Sequence, residues 1–202
     1  MQPPIDNDGG FKPPLIVVSV QLSMDVTLGR QVLAYWLIPA EPARSFFAST
    51  IAELAARFDA PLFEPHVTIY ATREGEDIPG EVLRRALADC DPFRLSVRDI
   101  RYSPKFTRTL FVRFEPSLPL SGLSRALKQA SALHDSYQLN PHLSLIYKKM
   151  SRAAKTDVVA AVSLPFAEVF FDSAKAVICP ARIESRQDVE AWRIAAVQRL
   201  TA

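Results

Sequence analysis

Apolar residues along this chain switch repeatedly between the two-residue rhythm of a strand and the longer rhythm of a helix. The continuous run over residues 32–38, closed by Pro39, suits a buried strand. Residues 42–58 follow with Phe46, Phe47, Ile51, Leu54 and Phe58 at helical spacing, which predicts an amphipathic helix. Pro65-His66-Val67-Thr68-Ile69-Tyr70 then reads as a strand, residues 82–88 as a helix introduced by Pro79, and residues 93–102 as an alternating strand. The first half is strand, helix, strand, helix, strand.

The second half repeats that order. Residues 109–114 form an apolar strand, 123–133 a helix with Ala126, Leu127 and Ala130 inward, and Pro141-His142-Leu143-Ser144-Leu145-Ile146-Tyr147 a further strand. Residues 151–162 predict a helix opened by Ser151 as N-cap, and residues 167–178 a strand. A last strand over 191–200 is free to pair with either half. No low-complexity linker separates the halves, so residues 24–202 are expected to form one domain of two lobes around a single cleft. Residues 1–23 stand apart, because 2–14 mix four prolines, two aspartates and two glycines without periodicity. They read as a disordered extension, with Met24 as the candidate true start.

Composition narrows the function only by exclusion. The 202 residues are 49% apolar and 23% charged, the ordinary globular range, and the net charge of +2 argues against wholesale binding to nucleic acid or an anionic membrane. Cys90 and Cys179 lack the spacing of a zinc site or a disulfide framework and read as free thiols in a reducing compartment. The apolar run at 15–20 is far shorter than the ~20 residues of a membrane span and lacks signal-peptide flanks, so a cytoplasmic monomer is expected.

The chemistry lies in a repetition. Two of the three histidines, His66 and His142, occupy matching frames of the two halves, each after a proline and two residues before a hydroxyl. Side chains two apart on a strand share a face, so His66 pairs with Thr68 and His142 with Ser144, while Val67, Ile69, Leu143 and Leu145 turn to the core. One neutral imidazole can take a proton from water while a protonated one gives a proton to a leaving oxygen, and hydroxyls can donate to phosphate oxygens. That set serves phosphodiester cleavage with neither a metal nor a cofactor.

The doubled His-x-Thr/Ser pattern resembles the 2H phosphoesterase superfamily, over roughly residues 32 to 200. The second motif is most similar to the plant- and yeast-type cyclic phosphodiesterase branch. The strand Ala34-Tyr35-Trp36-Leu37-Ile38-Pro39, the segment Phe63-Glu64-Pro65-His66-Val67-Thr68 and the closing Trp192-Arg193 agree with that branch. The resemblance implies an α+β, bilobal duplicated fold with two mostly antiparallel sheets flanked by helices. It implies opening of 2′,3′-cyclic nucleotides or of ADP-ribose 1″,2″-cyclic phosphate, with His66 and His142 as acid and base and Thr68 and Ser144 on the phosphate. Tyr147 and Trp36 match family residues near the pocket. Strict alternation puts Tyr147 opposite His142, so it reaches the cleft only where the strand ends, twists or bulges. Tyr35 and Trp36 point to opposite faces, and one of them must be interior.

Two other readings accompany this one: an RNA 2′,3′-cyclic phosphodiesterase or 2′-5′ ligase-like enzyme acting on RNA ends, and a non-catalytic nucleotide-binding module. His134 follows a helix without the motif and reads as a solvated helix-end histidine. Arg101, Lys105, Arg108 and Lys148 could edge the cleft, but the favoured reading is solvated loop residues.

Overall fold

A computed structural model of the chain describes residues 31–201. The extension over 1–23, the apolar run at 15–20 and the proposed start at Met24 lie outside the described residues. Among the described residues there are seven strands and five α-helices, beginning with β1 (Gln31–Pro39), α1 (Ala43–Phe58), β2 (Val67–Arg73), α2 (Pro79–Ala86), β3 (Phe93–Tyr102), a 3-10 turn (Phe106–Arg108) and β4 (Leu110–Phe114). After them come α3 (Leu118–Ala130), β5 (His142–Ile146), α4 (Arg152–Ala161), β6 (Glu168–Pro180), α5 (Arg186–Glu190) and β7 (Arg193–Arg199).

The order of strands is β1-β2-β5-β4-β3-β6-β7, every pairing is antiparallel, and β1 also pairs with β6. The first six strands of that order thus form a closed circuit, with β7 lying along β6. The two expected sheets are joined into one. One group is β1, β2, β6 and β7, and the other is β3, β4 and β5. Their junctions are the single register pair Val67↔Leu143 on one side and the first residues of β6 against β3 on the other. Both halves of the first junction are the residues that follow the motif histidines, so strand pairing itself brings His66 and His142 together. Continuing that antiparallel register sets His66 against Ser144 and Thr68 against His142.

One face of the sheet carries the main core. Tyr35, Leu37, Ile69, Tyr70, Leu143 and Leu145 pack there against Phe47 and Leu54 of α1, Val82 and Leu83 of α2, Leu120 and Leu127 of α3 and Val158 of α4. The opposite face carries a smaller cluster of Ala34, Trp36, Ile38, Val177 and Cys179. Tyr35 is therefore the interior partner of the Tyr35/Trp36 pair, with 0% of its surface exposed.

Serine caps set the starts of the later helices. Ser117 accepts from Leu120 N–H and Pro119 fits the first turn, so α3 starts at Leu118 and not at 123. Ser151 accepts from Ala154 N–H and opens α4 as its sequence predicts. The 3-10 turn and the five-residue α5 are too short to show periodicity; α5 is held by a capping box between Ser185 and Asp188.

Candidate active site

Both motif histidines are fastened the same way. His66 Nδ1 lies 2.7 Å from the Glu64 carbonyl, and His142 Nδ1 lies 2.7 Å from the Asn140 carbonyl. A carbonyl can only accept, so Nδ1–H is the donor in each ring and Nε2 is left with the lone pair in the neutral form. The backbone two residues upstream thus sets the tautomer and fixes the orientation of each ring.

The segment carrying His66 is anchored by charge. The Glu64 carboxylate accepts from Lys175 Nζ at 2.6 and 2.8 Å and from Arg44 at 2.7 Å. Lys175 sits on β6 directly beside Trp36 of β1, so the ion pair ties the His66 segment to the sheet. Trp36 is 4% exposed and stacks on the His66 ring with centroids 3.7 Å apart. Phe63 stacks on Tyr147 at 4.0 Å, and Trp192 meets the edges or faces of Trp36, His66, Phe63 and Tyr147.

Two bulges decide which side chains share this space. On β2, Tyr70 pairs with Tyr35 and Thr68 with Trp36, so Ile69 is an extra residue, and Ala71 joins His66 and Thr68 on one face. On β5, Ser144 pairs with Phe111 and Ile146 with Leu110, so Leu145 is extra. The strand then ends, and Tyr147 turns to the side of His142.

The result is a cavity of about 270 Å³. His66, Thr68, Thr107, Arg108, Tyr137 and His142 give it a polar side. Val32, Ala34, Trp36, Ala71, Cys179, Ile183 and Trp192 give it an apolar one. Burial holds His66 neutral, with its pKa down to about 4; the Glu64 carbonyl works against this and nearby His142 adds to it. The His142 pKa is lowered too, by burial first, with the Asn140 carbonyl opposing and the Arg108 charge assisting. Burial lifts the Tyr147 phenol well above its usual range and the Cys179 thiol to about 11, so neither is an anion near neutral pH. Among the described residues no cluster of three or more His, Cys, Asp or Glu side chains is placed to hold a metal ion.

A family model described as the 2′-5′ RNA ligase superfamily matches residues 39–177, a span that contains both motifs. The chain belongs to this superfamily, the 2H phosphoesterases. Apo LigT of E. coli is similar in fold, with a TM-score of 0.54 at 16% identity over 86% of this chain and 99% of LigT. The structure of LigT complexed with 3′-AMP gives 0.54 at 15% identity, over 86% of this chain and 99% of LigT. The crystal structure of a phosphoesterase gives 0.54 at 16%, over 85% of this chain and 99% of that one. No curated protein sequence matches the chain.

Within this 2H fold the six residues singled out in the sequence separate into two groups. His66, His142, Thr68, Trp36 and Tyr147 line the cavity, and Ser144 does not. The Ser144 hydroxyl is buried and donates to the Thr107 carbonyl at 2.8 Å. Arg108, read from the sequence as a solvated loop residue, lines the cavity, as do Thr107, Tyr137 and Trp192. Trp192 reads in the sequence only as part of a chain ending; the turn after α5 brings its indole against His66. The other basic candidates lie elsewhere: Arg101 pairs with Asp99, Lys148 donates to the Asp59 carbonyl, and Lys105 is an exposed loop residue. His134 is exposed, with Nδ1 2.9 Å from the Lys128 carbonyl, as a helix-end histidine should be.

Proposed function

We propose that this 2H phosphoesterase is a metal-independent cyclic phosphodiesterase that opens 2′,3′-cyclic nucleotides or ADP-ribose 1″,2″-cyclic phosphate. The observation that carries the reading is the matched pair of imidazoles, each tethered through Nδ1 to a backbone carbonyl and bordering one cavity. One Nε2 accepts a proton from water as the water oxygen bonds to phosphorus. The P–O bond to the 3′ oxygen breaks, and the other imidazole, protonated, delivers its Nε2 proton to that oxygen, leaving a 2′-phosphate. The Thr68 hydroxyl donates to a non-bridging oxygen, where negative charge gathers in the transition state. Trp36 and Tyr147 serve as walls that receive the nucleoside and limit the water around the pair to what the reaction uses.

The cavity of about 270 Å³, open to solvent and with one apolar side, supports a small nucleotide or a terminal nucleotide as the group received, and all of its lining comes from one chain, so we take a monomer without a membrane or protein partner as the acting form. Turnover of 2′,3′-cyclic AMP by the wild type, His66→Ala and His142→Ala tests the reading. Each variant is expected to lose about 10²–10⁴ in rate. Unchanged turnover in either variant, or no turnover in the wild type, contradicts it.

A further inference from the structure

Arg108 is the one Lys or Arg among the described residues that line the cavity, and the acid–base pair does not account for it. Its Nε is buried without a hydrogen-bond partner, and its guanidinium has no carboxylate among the described residues. Neighbouring cations differ: Arg113 and Arg101 share Asp99, and Lys175 and Arg44 share Glu64. Arg108 instead lies over the Phe111 ring, 4.6 Å from its centroid, and Phe111 in turn meets the His142 ring edge-on at 5.5 Å. Arg108 as a whole is half-buried, but a guanidinium nitrogen withdrawn from water is ordinarily hydrogen-bonded, and a phenyl face is a weaker partner than an anion in bidentate contact.

The turn that carries Arg108 is pinned by hydroxyls. Ser103 donates to the Arg108 carbonyl at 2.7 Å, and Ser144 donates to the Thr107 carbonyl at 2.8 Å. Thr109 Oγ1 lies 2.9 Å from the Phe106 carbonyl and 2.6 Å from the Lys148 carbonyl. Three side chains thus hold a three-residue turn whose last member presents a fork of N–H donors at the cavity.

We propose that Arg108 is the receptor for a phosphoryl group in the His66–His142 cavity, and that Ser144 is a positioning residue that acts through the Thr107 carbonyl. In this arrangement Ser144 spends its one hydroxyl proton on the turn, and Arg108 supplies the donors on the His142 side, across from Thr68. The role in turnover rests on the cyclic phosphodiesterase reading; the anion receptor itself does not. Arg→Lys is not conservative here, because an ammonium lacks the planar fork.

Inorganic phosphate, titrated against the wild type and variants and followed by the NMR signals of the histidine rings, is the test. Arg108→Ala is expected to weaken phosphate binding about 10- to 100-fold, with Arg108→Lys recovering only part of the loss. Ser144→Ala should weaken it less, and the double variant should bind no more weakly than Arg108→Ala alone, since the two act as one unit. The His142 pKa should rise in Arg108→Ala as the neighbouring charge is removed, a change that loosened packing elsewhere would not confine to one histidine. No binding by the wild type, binding in Arg108→Ala within about twofold of the wild type, or additive losses for Arg108 and Ser144 would overturn the proposal. Arg108-dependent phosphate binding without turnover of 2′,3′-cyclic AMP would leave the receptor standing and remove the hydrolase reading. Turnover with Arg108-independent binding would do the reverse.

Discussion

The Trp36 indole and the His66 imidazole lie face to face, with centroids 3.7 Å apart and ring planes 11° from parallel. Two effects oppose each other in this stack. An indole face attracts a cation by about 0.5–1 kcal/mol, which favours the imidazolium. Removal of water disfavours it, by up to about 3–5 pKa units for a fully buried group. With His66 only 7% exposed and its pKa down to about 4, loss of water wins.

Trp36→Leu should therefore raise the His66 pKa toward about 6.5, because the smaller side chain admits water. Following the ring protons of His66 by NMR across pH 3–8 checks this. A midpoint still near 4 would mean that the stack is not what keeps the imidazole dry.

The same depression makes stability depend on pH. Native His66 holds its second proton only below about pH 4, whereas an unfolded histidine holds one below about 6.5. Between those values the unfolded chain binds the extra proton, so stability is full above about pH 6.5 and falls as the pH drops toward 4. The loss is on the order of 3 kcal/mol for His66. Urea unfolding of the wild type and His66→Gln at pH 7.5 and pH 4.5 should show a smaller drop in the variant. Equal drops would assign the acid sensitivity to other groups.

Glu64 has a dual position, its carboxylate between Lys175 and Arg44 and its carbonyl on His66 Nδ1. Glu64→Gln leaves Lys175, whose side chain is 12% exposed, without a counterion and should cost on the order of 1–3 kcal/mol. The looser His66 segment should also lower kcat by about 10- to 100-fold, the upper figure being that of a 1 Å misplacement. Glu64→Gln combined with Lys175→Met should recover part of the stability, since the charge then left without its partner is that of Arg44, which is exposed to water. Thermal unfolding and steady-state rates of both variants test this; a double variant as unstable as the single one would show that the charge is not the cause.

Strand parity makes His66 and Thr68 legible as neighbours, and the doubled frame links them to His142 from the sequence alone. Parity failed where the ladder slips. Nothing in Leu143-Ser144-Leu145-Ile146 announces that Leu145 will be extra; the register comes from β4, which lies far away in sequence. Ser144 shares its strand face with His142, yet the 106–108 turn approaches close enough for Thr107 to take its hydroxyl proton. Arg108 was missed for the same reason, since a cation in a connection looks solvated until the turn is folded over Phe111. The one signal available was the density of hydroxyl residues at Ser103, Thr107 and Thr109 around it.

Paired imidazoles should leave their mark on the rate. kcat/KM is expected to be bell-shaped in pH, because one ring must accept a proton while the other gives one. Both histidines have lowered pKa values in the free protein, so the acidic limb should fall below about pH 6.5, the unperturbed histidine value. A profile flat from pH 4 to 8 would argue against acid–base work by the pair.

The most direct measurement is the identity of the product. The protein would be incubated in EDTA with 2′,3′-cyclic AMP, ADP-ribose 1″,2″-cyclic phosphate and a short RNA ending in a 2′,3′-cyclic phosphate, and the position of the phosphate read by NMR. The account predicts 2′-phosphate from the cyclic nucleotide at an undiminished rate, lost in His66→Ala and His142→Ala. A 3′-phosphate product, or activity that disappears with the chelator, would contradict it.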